Sequence, residues 1–134
     1  MYFTKKHILI IEDTKDFQYL LKKILFLDGF YVETADNGLL ALEHLKTSTK
    51  LPDVILLDIM MPFMDGYQFR QHQMSDFVLS QIPVIAISAD ENADLNKLQM
   101  NEFHHLKKPL NLEMLIDRIN SCLNHSEAKY SLFY

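Results

Sequence analysis

Short apolar runs alternate with longer stretches of helical period along the whole chain. Each run is three to six residues long and is flanked by charged or turn-forming residues. The five runs cover residues 7–11, 31–34, 54–57, 82–87 and 104–106. This alternation is typical of βα units around a parallel sheet, in which both faces of each strand are buried. The pattern therefore predicts an α/β fold built as one (βα)₅ unit.

The stretches that follow these runs carry apolar residues at helical spacing. The first begins near Asp13 and Thr14, either of which can cap a helix, and ends before Gly29. The second opens at residues 36–38. The last three predicted helices cover about residues 67–77, 91–100 and 111–124. Asn101 is expected to end the fourth helix in the left-handed conformation that asparagine tolerates.

Composition favours a single soluble domain. The chain has 134 residues, near the usual size of one domain, and 49% of them are hydrophobic. Its net charge of −5 argues against direct nucleic-acid binding. Cys122 is the only cysteine, as expected in a reducing cytosol, and we interpret it as a small apolar helix residue. The apolar run after the N-terminus is too short for a signal peptide or a membrane span, so we expect a cytoplasmic protein without membrane insertion.

Five residues with ligating or reactive side chains follow the predicted strands. Glu12 and Asp13 end the first run, Asp58 ends the third, Ser88 closes the fourth and Lys108 follows the fifth. Open α/β sheets place their sites at the carboxyl ends of parallel strands, so these side chains are expected along one edge. Clustered carboxylates repel one another unless a cation is present, and Mg²⁺ prefers oxygen ligands. The sequence therefore predicts a Mg²⁺ site at which an aspartate accepts a phosphoryl group.

Simpler interpretations exist for each of these residues taken alone, because acids and lysines are common in βα loops. Five compatible residues in the register of a five-stranded sheet favour a shared site. The histidines carry a weaker signal. Four of them lie on different predicted elements without metal-ligand spacing and are interpreted as solvated or capping residues: His7, His44, His72 and His125. His104 and His105 are adjacent and are expected on opposite faces of the fifth strand.

Four segments together resemble a known family. They are Glu12-Asp13, residues 58–62 with Asp65-Gly66, Ser88-Ala89 and Lys108-Pro109. This ordered set is similar to the receiver domain of two-component response regulators and spans roughly residues 6–124. The resemblance implies a flavodoxin-like, doubly wound parallel sheet with strand order 2-1-3-4-5. It also implies a receiver domain over residues 1–124, followed by a C-terminal tail, residues 125–134, with no output domain.

The resemblance assigns roles to the residues at the strand ends. Asp58 would be the phosphoacceptor, Asp13 a direct Mg²⁺ ligand and Glu12 a ligand mainly through water. The backbone carbonyl of Met60 would complete the protein's share of the metal shell. Two further side chains would contact the phosphoryl group, Ser88 and Lys108. Pro109 would follow a cis peptide bond.

The chain departs from the family pattern mainly in its switch. The family usually has tyrosine or phenylalanine three positions before the lysine, and here that residue is His105. His105 would form the switch together with Ser88, and its imidazole would allow pH-sensitive coupling. Alternatively, His105 is a partly exposed strand residue without this role. Asn101 stands where glycine is frequent, and Met60 and Asp90 occupy positions that influence phosphoryl hydrolysis in the family.

These observations predict a signalling switch, not a turnover enzyme. The chain would take a phosphoryl group onto Asp58 from a sensor histidine kinase, a histidine phosphotransfer protein or a small acyl phosphate. It would then act on a downstream protein effector through the fourth helix, fifth strand and fifth helix, about residues 91–124. Three alternatives are compatible with the aromatic residues in the tail, from Tyr130 to Tyr134: they extend that surface, they dock on the domain, or they are disordered.

Two other functions compete with the switch. One is a phosphate-independent interaction module with the same fold, which the complete set of acceptor residues disfavours. The other is a Mg²⁺-dependent phosphatase that uses Asp58 as a transient nucleophile. Such enzymes usually have an acidic residue two positions after the nucleophile, where this chain has Met60, and no insertion for a substrate cap is present.

Overall fold

Five parallel strands form one sheet in the order β2-β1-β3-β4-β5. They are β1 (His7–Ile11), β2 (Tyr31–Ala35), β3 (Val54–Asp58), β4 (Val84–Ser88) and β5 (His105–Lys107). The computed structural model describes residues 5–90 and 92–131, with side chains as far as Asn124. The predicted fold class, the flavodoxin-like α/β sheet with this strand order, is confirmed.

The three inner strands are buried along their whole length, whereas the edge strands β2 and β5 are partly exposed. Uninterrupted apolar runs suit the inner positions because helices cover both faces of a parallel sheet. In β1, Ile8 and Ile10 face one core while Leu9 and Ile11 face the other. Each such side chain stabilises the fold by about 1.5–3 kcal/mol when it is fully buried.

Helices cover both faces of the sheet. They are α1 (Lys15–Leu27), α2 (Gly38–Thr47), α3 (Gly66–Met74), α4 (Leu95–Leu98) and α5 (Leu112–Ser131). Leu21 of α1 and Leu115 of α5 pack in one core, and Leu42 of α2 and Phe69 of α3 pack in the other. Within the described residues, no helix combines the length and apolarity that crossing a membrane requires.

Polar caps set where the helices begin. The Asn37 side chain accepts a hydrogen bond from the backbone of Leu40 at 2.9 Å and starts α2. Asp65 and Gln68 form a reciprocal capping box at the start of α3. Thr14 occupies the cap position of α1, but its side chain makes no capping hydrogen bond.

Two predicted helices are shorter in the structure. The third was expected to reach residue 77, but it ends at Met74, where the Ser75 hydroxyl bonds to Gln71 and the Asp76 carboxylate accepts from Val78. The fourth was expected over residues 91–100 and covers only Leu95–Leu98. Asp94 caps it by accepting from the backbone of Lys97, which places its start after Asp94; residue 91 lies outside the described part.

Residues 99–105 also differ from the prediction. Gln99, not Asn101, adopts the left-handed conformation, with φ of 56°. Asn101 is extended, and its side chain caps a 3₁₀ turn by accepting from the backbone of Phe103. His104 belongs to this turn, so only His105 lies on β5, and the expectation of two histidines on opposite strand faces was wrong.

The last helix differs at its ends. It was expected to end near Asn124, but its backbone continues to Ser131. Leu112 was expected on the buried face and is 39% exposed, whereas Leu115 and Ile119 are fully buried. Cys122 is buried in this helix, as predicted. The side chains of residues 125–134, including the tail aromatics, lie outside the described residues.

A buried arginine connects α3 with the end of α4. Arg70 is 6% exposed, and its Nε and Nη2 atoms donate to the carbonyl oxygens of Leu98 and Gln99 at 2.7 and 2.9 Å. Its Nη1 atom donates to the side chain of Gln73 at 2.8 Å. Gln73 in turn donates to the carbonyl oxygens of Leu79 and Ile82. The guanidinium is therefore held by neutral oxygens, and its burial lowers its pKa.

Candidate functional site

Three carboxylates converge at the carboxyl ends of β1 and β3. Glu12, Asp13 and Asp58 each place one oxygen within 4.8 Å of the others. The strands are neighbours in the sheet, with Ile11 paired to Leu57, so the residues that follow them meet at one edge. Glu12 and Asp58 are buried, and Asp13 is partly exposed. The structure thus brings together the three acids that the sequence predicts.

Lys108 follows the edge strand β5 and reaches this acidic cluster from there. Its Nζ atom lies 3.8 Å from Oε2 of Glu12 and 3.8 Å from Oδ1 of Asp58. Its backbone N–H donates to the carbonyl oxygen of Ser88 at 2.9 Å, which ties the end of β5 to the end of β4. The peptide bond between Lys108 and Pro109 is cis, as the family resemblance implies.

Burial and repulsion from Glu12 raise the pKa of Asp58 to about 7. Desolvation is the larger cause, because it disfavours the charged form. Lys108 and a backbone hydrogen bond from Met60 act in the opposite direction. Without a cation, the Asp58 carboxyl group is therefore poised between its protonated and ionised forms near neutral pH.

The donor set fits a hard divalent cation such as Mg²⁺. Glu12, Asp13 and Asp58 supply oxygen only, and a cation among them would offset the repulsion that raises the pKa of Asp58. Met60, whose carbonyl is expected to complete the shell, follows β3 in the loop toward α3, and its side chain is exposed. Within the described residues, no other set of three histidine, cysteine or acidic side chains brings one ligand atom from each this close together.

Ser88 ends β4 on the same edge and is completely buried. Its Oγ atom accepts a hydrogen bond from the backbone N–H of Asp90 at 2.9 Å. The hydroxyl proton remains available to a further acceptor, because a hydroxyl group donates one hydrogen bond while it accepts others.

His105 lies on β5 opposite Ala86 of β4. It is half-buried, and its Nε2 atom has no hydrogen-bond partner in the described structure. Burial lowers its pKa, and the nearby Lys107 acts in the same direction. The lowered pKa favours the neutral imidazole and moves a change of its charge toward more acidic pH.

Gln18 supports the site and was missed by the sequence analysis. Its side-chain amide donates to the carbonyl oxygen of Glu12 at 2.9 Å and to Oδ1 of Asp36 at 3.1 Å, so it fixes the loop that carries two of the acids. A signal existed in the pattern. Gln18 shares the buried face of α1 with Leu21 and Leu25, where a polar residue requires hydrogen-bond partners.

Gly66 keeps the loop after Asp58 tight. Its backbone N–H donates to the carbonyl oxygen of Ile59 at 2.7 Å. A Cβ atom at this position would lie 2.6 Å from the Cα atom of Ile59, a distance that real Cβ atoms do not tolerate. The glycine is therefore required by close backbone approach beside the nucleophile candidate.

One histidine prediction was wrong, because His7 is buried and not solvated. Its Nε2 atom lies 3.0 Å from Oε1 of Glu33, and the Nε2 atom of His44 lies 2.6 Å from Oε2 of the same carboxylate. Desolvation lowers the pKa of His7 despite the nearby acids. The exposed His72 agrees with the prediction, and the side chain of His125 lies outside the described residues.

Comparison with known proteins identifies the class that this fold and site define. The model of the response regulator receiver domain family matches residues 8–120, and the chain belongs to this family. A curated relative, the transcriptional regulatory protein CpxR homolog of Haemophilus influenzae, is 36% identical over 124 residues, which cover 90% of this chain and 52% of that protein. KdpE of Staphylococcus aureus is 39% identical over 118 residues, which cover 84% of this chain and 47% of that protein. The chain thus spans about half the length of these relatives.

Solved structures show the same fold. The N-terminal domain of a response regulator/sensory box/GGDEF protein from Carboxydothermus hydrogenoformans superposes with a TM-score of 0.81 at 30% identity, covering 93% of this chain and 99% of that one. The receiver domain of the sensor histidine kinase PA1611 from Pseudomonas aeruginosa gives a TM-score of 0.79 at 24% identity, covering 90% and 99%. That second structure carries a magnesium ion in its active-site cleft.

Proposed function

We propose that the protein is a phospho-accepting switch in which Asp58 receives a phosphoryl group. The observation that carries the proposal is the position of Lys108, whose ammonium group lies 3.8 Å from Asp58 and from Glu12 within a cluster of three carboxylates. A structural ion pair needs only one acid for one lysine. Three acids and one lysine leave room for a cation and for an anionic group.

The side chains divide the chemistry between them. An oxygen of ionised Asp58 attacks the phosphorus atom, and the bond from phosphorus to the donor's leaving group breaks as that group departs with the electron pair. Lys108 balances negative charge on the phosphoryl oxygens, and the buried Ser88 hydroxyl donates a hydrogen bond to one of them. Glu12, Asp13 and Asp58, with the carbonyl of Met60, would hold Mg²⁺. When bound, Mg²⁺ favours the ionised form of Asp58 and offsets charge on the phosphoryl group.

Phosphorylation is proposed to act through Ser88 and His105. A phosphoryl group on Asp58 gives the Ser88 hydroxyl a new acceptor, and the resulting shift at the end of β4 reaches β5 through the bond from Lys108 N–H to the Ser88 carbonyl oxygen. The neutral, half-buried His105 then changes position. Comparison of effector affinity for phosphorylated wild type and His105→Tyr across pH tests this role, and identical profiles would eliminate a contribution of the imidazole charge.

The proposal extends to partners and location. The phosphoryl donor is a phosphohistidine on a sensor kinase or on a phosphotransfer protein, and the output is binding of a protein effector at α4, β5 and α5. The chain acts in the cytoplasm as a receiver domain over residues 1–124, and the protein does not turn over an external substrate. The family membership and the acidic site support these points.

Intact-mass spectrometry tests the phosphoryl acceptor. The protein is incubated with acetyl phosphate and Mg²⁺, and a single adduct with the mass of one phosphoryl group is expected. Asp58→Asn and a sample without Mg²⁺ should show no adduct. Asp16→Asn is the matched control, because Asp16 is an exposed acid on the first turn of α1 and should leave the adduct unchanged.

Three outcomes contradict the proposal. An adduct that persists in Asp58→Asn would assign the acceptor elsewhere. No adduct from wild type with either acetyl phosphate or a panel of phosphorylated histidine kinases would favour the phosphate-independent module. Release of phosphate over many turnovers from a simple phosphoester would instead revive the phosphatase.

A further inference from the structure

The ammonium group of Lys108 lies near both the acids and an aromatic ring. Its Nζ atom is 4.6 Å from the ring centroid of Phe17, within the range of a cation–π contact. The two distances of 3.8 Å from the same Nζ atom to Glu12 and Asp58 exceed hydrogen-bond length. The carboxylates therefore attract the ammonium without fixing its position, and the ring supplies a second point of contact.

Packing holds the ring in place. Phe17 lies in the first turn of α1 and packs against the core that α1 and α5 form with the sheet. It is partly buried and contacts both this core and Lys108. A rigid aromatic face beside a flexible lysine side chain restricts where the ammonium group can lie.

We propose that Phe17 is a positioning residue for phosphoryl transfer, which acts by holding the Lys108 ammonium group close to Asp58. The inference rests on the proposed function, because Lys108 has no transfer step to assist otherwise. The ring does not touch the phosphoryl group and transfers no proton. While the new bond from the Asp58 oxygen to phosphorus forms and the donor's bond breaks, Phe17 keeps the positive charge close to the phosphoryl oxygens. Pre-placement of a charge lowers the reorganisation that the transition state requires.

Ring fluorination separates this role from simple packing. Phenylalanine with one, two or three ring fluorines at position 17 keeps nearly the same shape but weakens the attraction of the ring face for a cation. The rate of Asp58 phosphorylation by acetyl phosphate should fall stepwise with each fluorine. Phe17→Leu should slow the reaction on the order of fivefold, and Phe17→Tyr should retain the wild-type rate.

A double-mutant comparison and a spectroscopic readout complete the test. In a Lys108→Met background the residual rate should not depend on the residue at position 17. In protein without donor or Mg²⁺, the NMR signals of the Lys108 ε-methylene protons should be shifted upfield by the Phe17 ring, and Phe17→Leu should abolish this shift. Phe26→Leu is the matched control, because Phe26 makes a similar contact at 5.4 Å with Lys5.

The outcomes discriminate between this inference and the proposed function. If Phe17→Leu and the fluorinated series keep the wild-type rate, or if they lose the same factor in the Lys108→Met background, Phe17 does not act through Lys108. The absence of the Lys108 ring-current shift would also overturn the inference. If wild type accepts no phosphoryl group from any donor, the proposed function fails, whereas the NMR signals still report whether the contact exists.

Discussion

Replacement of Asp58 by asparagine is expected to stabilise the folded protein at neutral and alkaline pH in the absence of Mg²⁺. Burial and the carboxylate of Glu12 raise the pKa of Asp58 from 3.8 to about 7. The folded state therefore retains a proton that the unfolded state has already lost. Asparagine resembles the protonated form in shape and carries no charge, so it removes the cost of ionising a buried carboxyl group.

The expected effect grows with pH. A raised pKa contributes stability that is fully present below the unfolded value of 3.8 and is lost as the pH rises to the folded value of about 7. This difference of about 3 pKa units corresponds to about 4 kcal/mol at most. Relative to wild type, Asp58→Asn should therefore gain about 2–3 kcal/mol of unfolding free energy between pH 5 and pH 8.

Urea unfolding followed by far-UV circular dichroism in EDTA, at several pH values from 5 to 8, measures this gain. Asp16→Asn serves as the control, because Asp16 is exposed and should shift the curve equally at every pH. A difference between Asp58→Asn and wild type that stays constant from pH 5 to pH 8 would refute the reasoning. Addition of Mg²⁺ should stabilise wild type more than the variant, because a ligand that binds only the folded state raises its stability.

Three further substitutions test features of the fold. Phe63 is 87% exposed and has a left-handed φ of 68°. Glycine relieves left-handed strain at this position but not at the control position, Phe77. Phe63→Gly should therefore unfold at a higher temperature than Phe77→Gly and be more stable by about 1 kcal/mol. Gly66→Ala should cost about 2 kcal/mol or more in urea unfolding, since its Cβ would lie 2.6 Å from Ile59 Cα. The lowered pKa of His7 means that stability present above pH 6.5 is lost as the pH falls toward the folded pKa. His7→Gln should flatten this acid-side loss in urea midpoints from pH 7 to pH 5.

The sheet and the acids at its edge were accessible from sequence because both depend on local pattern. Runs such as residues 54–57 are apolar without interruption, as expected for an inner strand of a parallel sheet. Once the strands are assigned, Glu12, Asp58 and Lys108 follow at their ends by position alone. Chain direction in a parallel sheet then places these residues on the same edge.

The polar contacts inside the fold were not accessible in the same way. The partners of Arg70 are backbone carbonyl groups 28 and 29 residues away, and no sequence pattern marks a carbonyl that lacks a donor. The two ends of the fourth helix also depend on local polar contacts and backbone conformation. Asp94 caps its start, and Gln99 ends it in the left-handed conformation. The apolar spacing around Leu95 and Leu98 alone predicts a longer helix.

The contact from Arg70 to the end of α4 limits how the α4 side of the domain can move. Two of the nitrogens of this buried cation donate to the carbonyl oxygens of Leu98 and Gln99. A small displacement of α4 that lengthened both bonds would leave the Nε and Nη2 donors of a buried cation without acceptors, at a cost of several kcal/mol. Intermediate positions of α4 are therefore penalised. We expect the helix either to keep both hydrogen bonds to Arg70 or to exchange both for a new set. The arginine thus favours discrete positions of this part of the domain surface over intermediate ones.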